Sequence, residues 1–284
     1  MTDIIHKLNR VTIIGVGLLG GSIGLALKSR NRRLHVVGVG RREASLNEAR
    51  RVGAIDEYHV DAAAAVRDSD LVILATPIGA FETYLRAIKP HLKKGAIVTD
   101  VGSTKAMVVR LAEKIMGKGG PFVGSHPMAG SEKKGPAYAT ANLLAGARCV
   151  VTPTAATPRA LVRRVDALWR ELGMRTVRMS PAAHDKAAAR ISHLPHAVSC
   201  LLMCLAKQGD LAIIGTGFRG MTRLAGSDSE VWRDIFLTNR QPVLDAIAAL
   251  DEALMRFGDL IETNDADALA AFLADAQKRR QKIQ

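Results

Sequence analysis

Aromatic side chains are scarce in this chain of 284 residues: six Phe, three Tyr and two Trp make up 4% of it. Single-stranded nucleic acid is usually gripped by stacking bases on exposed rings, so this supply is too small for such a surface. The formal net charge of +13 reopens the question. The basic residues are dispersed, however, and neither a helix-turn-helix nor a zinc-finger spacing occurs, so no nucleic-acid partner is expected. Dispersed positive charge equally suits a protein whose small ligands are polyanions. Cysteine is nearly absent too. Cys149, Cys200 and Cys204 form no C-x-x-C pair, which argues against a disulfide framework or a thiolate metal site. Cys200 and Cys204 fall one helical turn apart in an apolar stretch and are expected to be small buried thiols. Apolar runs are short and broken by charges, so no membrane helix is expected. The opening "MTDIIHKLNRVTIIG" lacks the layout of a signal peptide. No internal repeat or low-complexity linker is visible. A cytoplasmic protein without a membrane partner is the expectation.

The first half of the chain alternates apolar runs with helical segments. "RVTIIG", "HVVGVG", "DLVILATP" and "AIVTDVGS" lack polar alternation, and so in part do "PFVGSHP" and "ARCVVTPT". Continuous apolar strands imply a sheet covered on both faces, and intervening helices imply parallel pairing. The fold class is α/β: an N-terminal Rossmann-like, doubly wound domain over residues 1–179. From Ser180 onward no convincing strand remains. "SPAAHDKAAARISHLPHAVSCLLMCLAKQ" reads as a long helix with Ser180 as N-cap, Pro181 at its first position and a kink at Pro195. Two further helical patterns follow, "QPVLDAIAALDEALMRFGDLIETN" and "DADALAAFLADAQKRRQKIQ". An all-α C-terminal domain is therefore expected over 180–284. It is more apolar along 196–205 and 243–261 than one small domain needs, which suggests a homodimer.

"IIGVGLLGGSIG" sets Gly15, Gly17 and Gly20 in G-x-G-x-x-G spacing between a strand and a helix. That context makes Gly15, Gly17, Leu18, Leu19 and Gly20 a candidate pyrophosphate cradle, with the helix N-terminus facing the phosphates. Thr76 and Pro77 of "ATPI" end a neighbouring strand and join the cofactor set. The second strand ends in Gly40, Arg41 and Arg42 where an NAD-binding fold usually places a carboxylate. Without that acid, two guanidinium groups can hold a 2′-phosphate, so NADP is expected, with NAD the other cofactor the fold accepts. The bland reading of the arginines is an exposed basic turn.

Ser103 in "DVGSTK" and His126 in "VGSHPMAGSE" follow strands whose carboxyl ends border the crevice of an open sheet. On the residues alone, His126 reads equally well as a base on a rigid loop and as a structural histidine. His193 and His196 in "ISHLPH" share a helical face and read equally as half-buried helix residues. Three histidines without acid or cysteine spacing make a poor metal site, and no metal is expected.

At these motifs the chain resembles the prephenate/arogenate dehydrogenase family of tyrosine biosynthesis. "GVGLLGGSIGLAL", "ATPI", "DVGSTK", "SHPMAGSE", "ISHLPHAVS" and "GFRGMTRLAGSDSEVW" carry the resemblance, in family order and over nearly the whole chain. The resemblance implies an NAD(P)-dependent oxidative decarboxylation of a dicarboxylate, prephenate or arogenate. It implies His126 as the group that accepts a hydrogen bond from the substrate C4 hydroxyl, and Ser103 as its positioning partner. It implies Arg223 at the ring carboxylate, His193 and His196 lining the pocket, and Glu132 at the pocket edge. Imidazole's ordinary pKa suits a base near neutral pH. Gly220 stands where many members carry Asp, so substrate preference does not transfer from them. With neither a regulatory module nor a mutase-like segment recognised, a stand-alone dehydrogenase is expected. The rival readings are a β-hydroxyacid dehydrogenase, which leaves "SHPMAG" unexplained, and a non-catalytic NADP-sensing Rossmann protein.

Overall fold

The computed structural model describes residues 3–131 and 133–283. They form two compact units that meet in sequence between Asn239 and Arg240. The first unit is built on an eight-stranded sheet. Its strands are β1 (Arg10–Ile14), β2 (His35–Val39), β3 (Glu57–His59), β4 (Leu71–Leu74), β5 (Ile97–Asp100), β6 (Phe122–Pro127), β7 (Arg148–Thr152) and β8 (Arg175–Arg178). Their order is β3-β2-β1-β4-β5-β6-β7-β8. Pairing is parallel from β3 through to β6. β7 then runs antiparallel to β6, and β8 parallel to β7. The parallel pairing expected from the intervening helices holds from β3 to β6 and gives way at β7. The two polar strands, β3 and β8, cap the edges of the sheet and have no counterpart among the apolar runs.

Alternate residues of the apolar strands feed two separate cores. Ile13, Val36, Ile73 and Ile97 point to one face, where α1 (Leu18–Arg30), α2 (Glu43–Arg51) and α6 (Arg159–Glu171) cover them. Ile14, Val37, Val72, Leu74 and Val98 point to the other face, under α3 (Ala62–Ala65), α4 (Phe81–Ile88) and α5 (Ala106–Met116). Both faces are dry, which is why these strands show no polar alternation.

The long helical segment opens as its sequence predicts. Ser180 Oγ accepts from the Ala183 amide, and α7 (Pro181–Ala188) starts on Pro181. A π turn, Ala189–His193, then leads into α8 (Leu194–Leu205). The Leu194 amide bonds the Ala189 carbonyl, five residues back, just ahead of Pro195. Pro195 is thus absorbed by a widened turn, a usual way for a helix to accommodate the missing donor. By length and composition alone, Pro181–Leu205 is the one helix among the described residues with an 18-residue window apolar enough to cross a membrane, at a mean hydropathy of 1.2. The Leu-, Cys- and Met-rich end of the segment carries that average, while the charged start, with Asp185 and Lys186, is fastened to the sheet. Buried cysteine holds only for Cys149; Cys200 is half-buried and Cys204 exposed, because the apolar face of α8 is not covered.

The boundary between compact units lies at Asn239, whereas the change from sheet to helix lies at Ser180. The reason is Asp185 on α7. Its carboxylate accepts from the backbone amides of Lys105 and Ala106 at 2.7 and 2.8 Å, the first turn of α5, and so fastens the helical segment to the sheet. The short helix α9 (Thr216–Thr222) and α10 (Ser229–Thr238) follow, and the Thr238 hydroxyl lies 2.9 Å from that of Thr104. The second unit consists of α11 (Arg240–Glu262) and α12 (Ala266–Gln281). Asp265 caps α12, and Phe257 meets Phe272 at 5.4 Å between ring centroids.

Beneath the carboxyl ends of β5 and β6 lies a fully buried ion pair, Lys105–Asp100. Lys105 Nζ also donates to the Ser125 carbonyl, and Asp100 accepts from the Ser125 and Gly102 amides. Burial alone pushes the Asp100 carboxyl up and the Lys105 ammonium down, and each partner opposes the other's shift. Lys105→Met strands a buried carboxylate and is expected to cost about 3–5 kcal/mol in urea unfolding. Arg86→Ala, which breaks the exposed Arg86–Glu82 pair, should cost less than about 1 kcal/mol. Equal losses would show that the buried pair does not organise this end of the sheet.

Candidate active site

The glycine turn after β1 has the conformation its spacing predicts. Gly15 has φ +100°, and a Cβ there would lie 2.6 Å from the Ala75 backbone. A Cβ on Gly20 would lie 2.1 Å from the Gly15 carbonyl oxygen, so α1 can approach β1 only with glycine there. Gly17 differs: a Cβ there would meet nothing within 4 Å. It faces an open crevice of about 230 Å³ lined by Gly15, Gly17, Gly40, Arg41, Arg42, Thr76 and Pro77 among others. Thr76 Oγ1 is buried without a hydrogen-bond partner, a cost of about 1–3 kcal/mol unless something else satisfies it. An open glycine cradle at the start of α1 and an orphaned hydroxyl fit a dinucleotide's pyrophosphate and ribose groups. Leu18 and Leu19 form the first turn of α1 but do not line this crevice, and Leu19 packs against the core. Arg41 and Arg42 are exposed at its rim, and Arg42 is the N-cap of α2.

His126 lies in β6, 7% exposed. Its Nδ1 is 2.8 Å from Nε2 of His184 on α7, and His184 Nδ1 is 2.8 Å from Asp185 Oδ1. A carboxylate only accepts, so His184 Nδ1 donates to it. A neutral His184 then accepts at Nε2 from the Nδ1–H of His126, which leaves the lone pair of His126 on Nε2. His126 is thereby held in the tautomer a base needs. Burial, with His184, Lys105 and His193 nearby, lowers its pKa well below 6.5. The ring is therefore held toward its neutral form, rather than poised at imidazole's ordinary value as the sequence suggested. Ser103, half-buried after β5, makes no hydrogen bond to His126.

His193 and His196 are both buried, at 0% and 3% exposure. The Trp232 ring stacks on His196, with centroids 3.5 Å apart and planes 8° from parallel, and meets His193 edge-on at 6.0 Å. His193 Nδ1 lies 3.1 Å from Asn239 Nδ2, which also donates to the Asp185 carbonyl. His193 Nε2 and His196 Nδ1 are buried without partners. Arg223 opens a 3-10 turn, Arg223–Gly226, tied to α8 by the Ala225 amide on Ser199 Oγ at 3.0 Å. Asp228 is engaged by Lys134 at 2.8 Å and by the cap of α10, so the loop after β6 is pinned to the start of α10. Glu132 lies outside the described residues. Among the described residues no group of three or more His, Cys, Asp or Glu could hold a metal ion.

Sequence reasoning missed His184, Asp185, Trp232 and Asn239. Their signals were faint: a His-Asp pair at the start of a helix, and one of two tryptophans in a chain poor in rings. Neither says which strand the helix will meet.

A doubly wound sheet with a glycine cradle at one end of a crevice and a tethered imidazole among helical histidines defines a dinucleotide-binding dehydrogenase class. Sequence profiles described as the prephenate dehydrogenase nucleotide-binding domain and the prephenate dehydrogenase dimerization domain match residues 23–178 and 180–275. The chain is 31% identical to a prephenate dehydrogenase of Bacillus subtilis, over 95% of this chain and 75% of the relative. It is 32% identical to a cyclohexadienyl dehydrogenase of Zymomonas mobilis, over 95% and 94%. A crystal structure of prephenate dehydrogenase from A. aeolicus, in complex with hydroxyphenyl propionate and NAD+, superposes with a TM-score of 0.90 at 34% identity, covering 97% of this chain and 98% of that one. The chain belongs to the prephenate dehydrogenase family.

The buried histidines carry a stability signature. Burial lowers the pKa of His193 to about 4, and those of His126 and His196 below 6.5. The unfolded chain protonates these rings near 6.5 and the folded one does not. The contribution of His193 is complete above about pH 6.5 and is lost as pH falls toward 4, by up to about 1.4 kcal/mol per pH unit, and His126 and His196 act in the same direction. The thermal midpoint should therefore drop steadily between pH 7 and pH 5, and less in His193→Asn. A midpoint that does not change over that interval would mean that these rings are solvated.

Proposed function

We propose that this chain oxidises and decarboxylates prephenate or arogenate, giving 4-hydroxyphenylpyruvate or tyrosine, with NADP preferred over NAD. The observation that carries this reading is the His126 ring at the carboxyl end of β6, tethered through Nδ1 to His184 so that its lone pair is left on Nε2. Bound in the crevice, a nicotinamide supplies the hydride acceptor. His126 Nε2 accepts a hydrogen bond from the substrate C4 hydroxyl and takes its proton as hydride leaves C4. Ser103 orients that hydroxyl. Arg223 holds the ring carboxylate through a paired guanidinium contact. His193 and His196, each with an unpartnered buried nitrogen, line the substrate cavity, and Glu132 is assigned to its edge. Release of CO2 and aromatisation of the ring make the step effectively irreversible.

NADP preference rests on Gly40, Arg41 and Arg42. No side-chain acid stands at the end of β2 to repel a 2′-phosphate, and both guanidinium groups line the crevice. We also assign a homodimer in the cytoplasm. Leu201 and Leu205 of α8 are 57% and 75% exposed, and Leu254 and Met255 of α11 are 57% and 59% exposed, apolar area that a partner copy would cover. Sedimentation should give about twice 30.4 kDa; a single-chain mass at micromolar concentration would overturn the dimer.

A two-by-two assay of both substrates with both cofactors tests the reaction. NADP should give the higher kcat/KM, and Gly40→Asp with Arg41→Ala should reverse the order. Equal or better efficiency with NAD in the unchanged protein would refute the preference. His126→Asn should lower kcat by about 10²–10⁴-fold with little change in KM. Arg223→Ala should chiefly raise KM, because its contact is made equally in the ground and transition states. Near-normal kcat in His126→Asn would make His126 a structural residue of β6 and remove the basis of this reading.

A further inference from the structure

Prephenate or arogenate oxidation has an unusual proton balance, and the inference drawn from it rests on the function proposed above. One hydride leaves the ring carbon for the cationic nicotinamide. The bond to the ring carboxylate breaks, its electron pair enters the ring, and neutral CO2 departs. The ring oxygen begins as a hydroxyl and ends as a phenol. The proton taken during hydride transfer must therefore be given back to the same oxygen, and no net proton is released. A site for this reaction needs somewhere to keep one proton briefly, and needs no route to bulk water.

His126 is a poor place to keep it. The ring is buried, and the groups facing it are mostly cationic or neutral: Lys105 from beneath, with its partner Asp100, His193 from the π turn, and Cys149 from β7. His184 differs by one contact. Its Nδ1 sits 2.8 Å from the Asp185 carboxylate, which also accepts from two helix-terminal amides. The Nδ1–Nε2 bond between the two rings, at 2.8 Å, is short enough to pass a proton.

We propose that the substrate's proton is stored on His184: as His126 Nε2 takes the hydroxyl proton, His126 Nδ1 hands its own to His184 Nε2, and both transfers reverse once the ring is aromatic. The pair His184–Asp185 then carries the charge as a buried imidazolium–carboxylate, one ring removed from the departing hydride. His126 stays neutral throughout, with only its tautomer exchanged. His184 is a positioning residue that acts through His126 and does not touch substrate.

Glutamine separates storage from mere positioning. In His184→Gln the amide oxygen can still accept from His126 Nδ1, but it cannot take up the proton. Storage predicts that His184→Gln loses kcat by about 10–100-fold with KM nearly unchanged, and that the loss matches that of His184→Phe. If His184 only fixes the tautomer, Gln restores most of the activity that Phe loses, and the proposal falls. A second readout needs neither cofactor nor turnover. In the unliganded protein with ¹⁵N-labelled histidine, the first ring of the His126–His184 pair to show two protonated nitrogens on acidification should be His184, and Asp185→Asn should abolish that order. Protonation of His126 first would overturn storage even if the wild-type enzyme turns over prephenate. Absence of turnover with either substrate, together with His184 protonating first, would instead refute the proposed reaction and leave the proton preference of the pair standing.

Discussion

Asp185 holds the site together by accepting three hydrogen bonds in a place with no solvent to replace them. Two come from the Lys105 and Ala106 amides at the start of α5, and one from His184. A carboxylate at a helix N-terminus is favoured by the helix dipole, and charge-assisted bonds to amides are among the stronger ones in proteins. Lys105 is gripped at both ends as a result: its amide by Asp185 and its ammonium by Asp100. Those two acids come from different parts of the fold, one from β5 and one from the first helix after the sheet. Where they meet, the loop "DVGSTK", the strand bearing His126 and the helix bearing His184 become one rigid body.

Much of this was legible in the sequence. The six apolar runs are six of the eight strands, because a strand buried on both faces has no polar positions to break the run. The edge strands β3 and β8 were invisible for the converse reason. Glu57 in β3 is bound to His35 and His59, and arginine stands at both ends of β8. The reversal of β7 could not be read, since strand direction depends on the connection and not on composition. The glycine cradle and His126 stood out through special residue types at fixed spacing. The His126–His184 contact joins residues 58 positions apart, and local patterns carry no signal at that range.

Unsatisfied polar atoms mark two places in the first unit. Thr76 Oγ1 lies on the glycine-lined crevice, and His193 Nε2 and His196 Nδ1 lie in the helical segment around Trp232. Each is a local stability cost that a ligand group can relieve, so part of the binding energy is gained by completing the protein's own hydrogen bonds. Such sites discriminate sharply against ligands that lack the matching group, because those leave the cost in place. The Trp232 ring adds shape to this, since its stacking on His196 fixes the plane of the imidazole.

The π turn at Ala189–His193 has a geometric consequence for the whole helical segment. In an unbroken α-helix, successive residues turn by about 100°, so positions 184 and 193 would point in opposite directions, about 180° apart. A π turn inserts about one extra residue into the winding. Downstream positions then turn back by about 100°, which brings 193 to about 80° from 184, and 196 to about 20°. One helix can therefore show His184 to the sheet and still keep His193 and His196 facing inward. Closing the bulge to plain α-helix with every residue kept would rotate the two sets of histidines apart by about 100°, whereas deleting one residue along with the bulge would leave them in the same relative orientation.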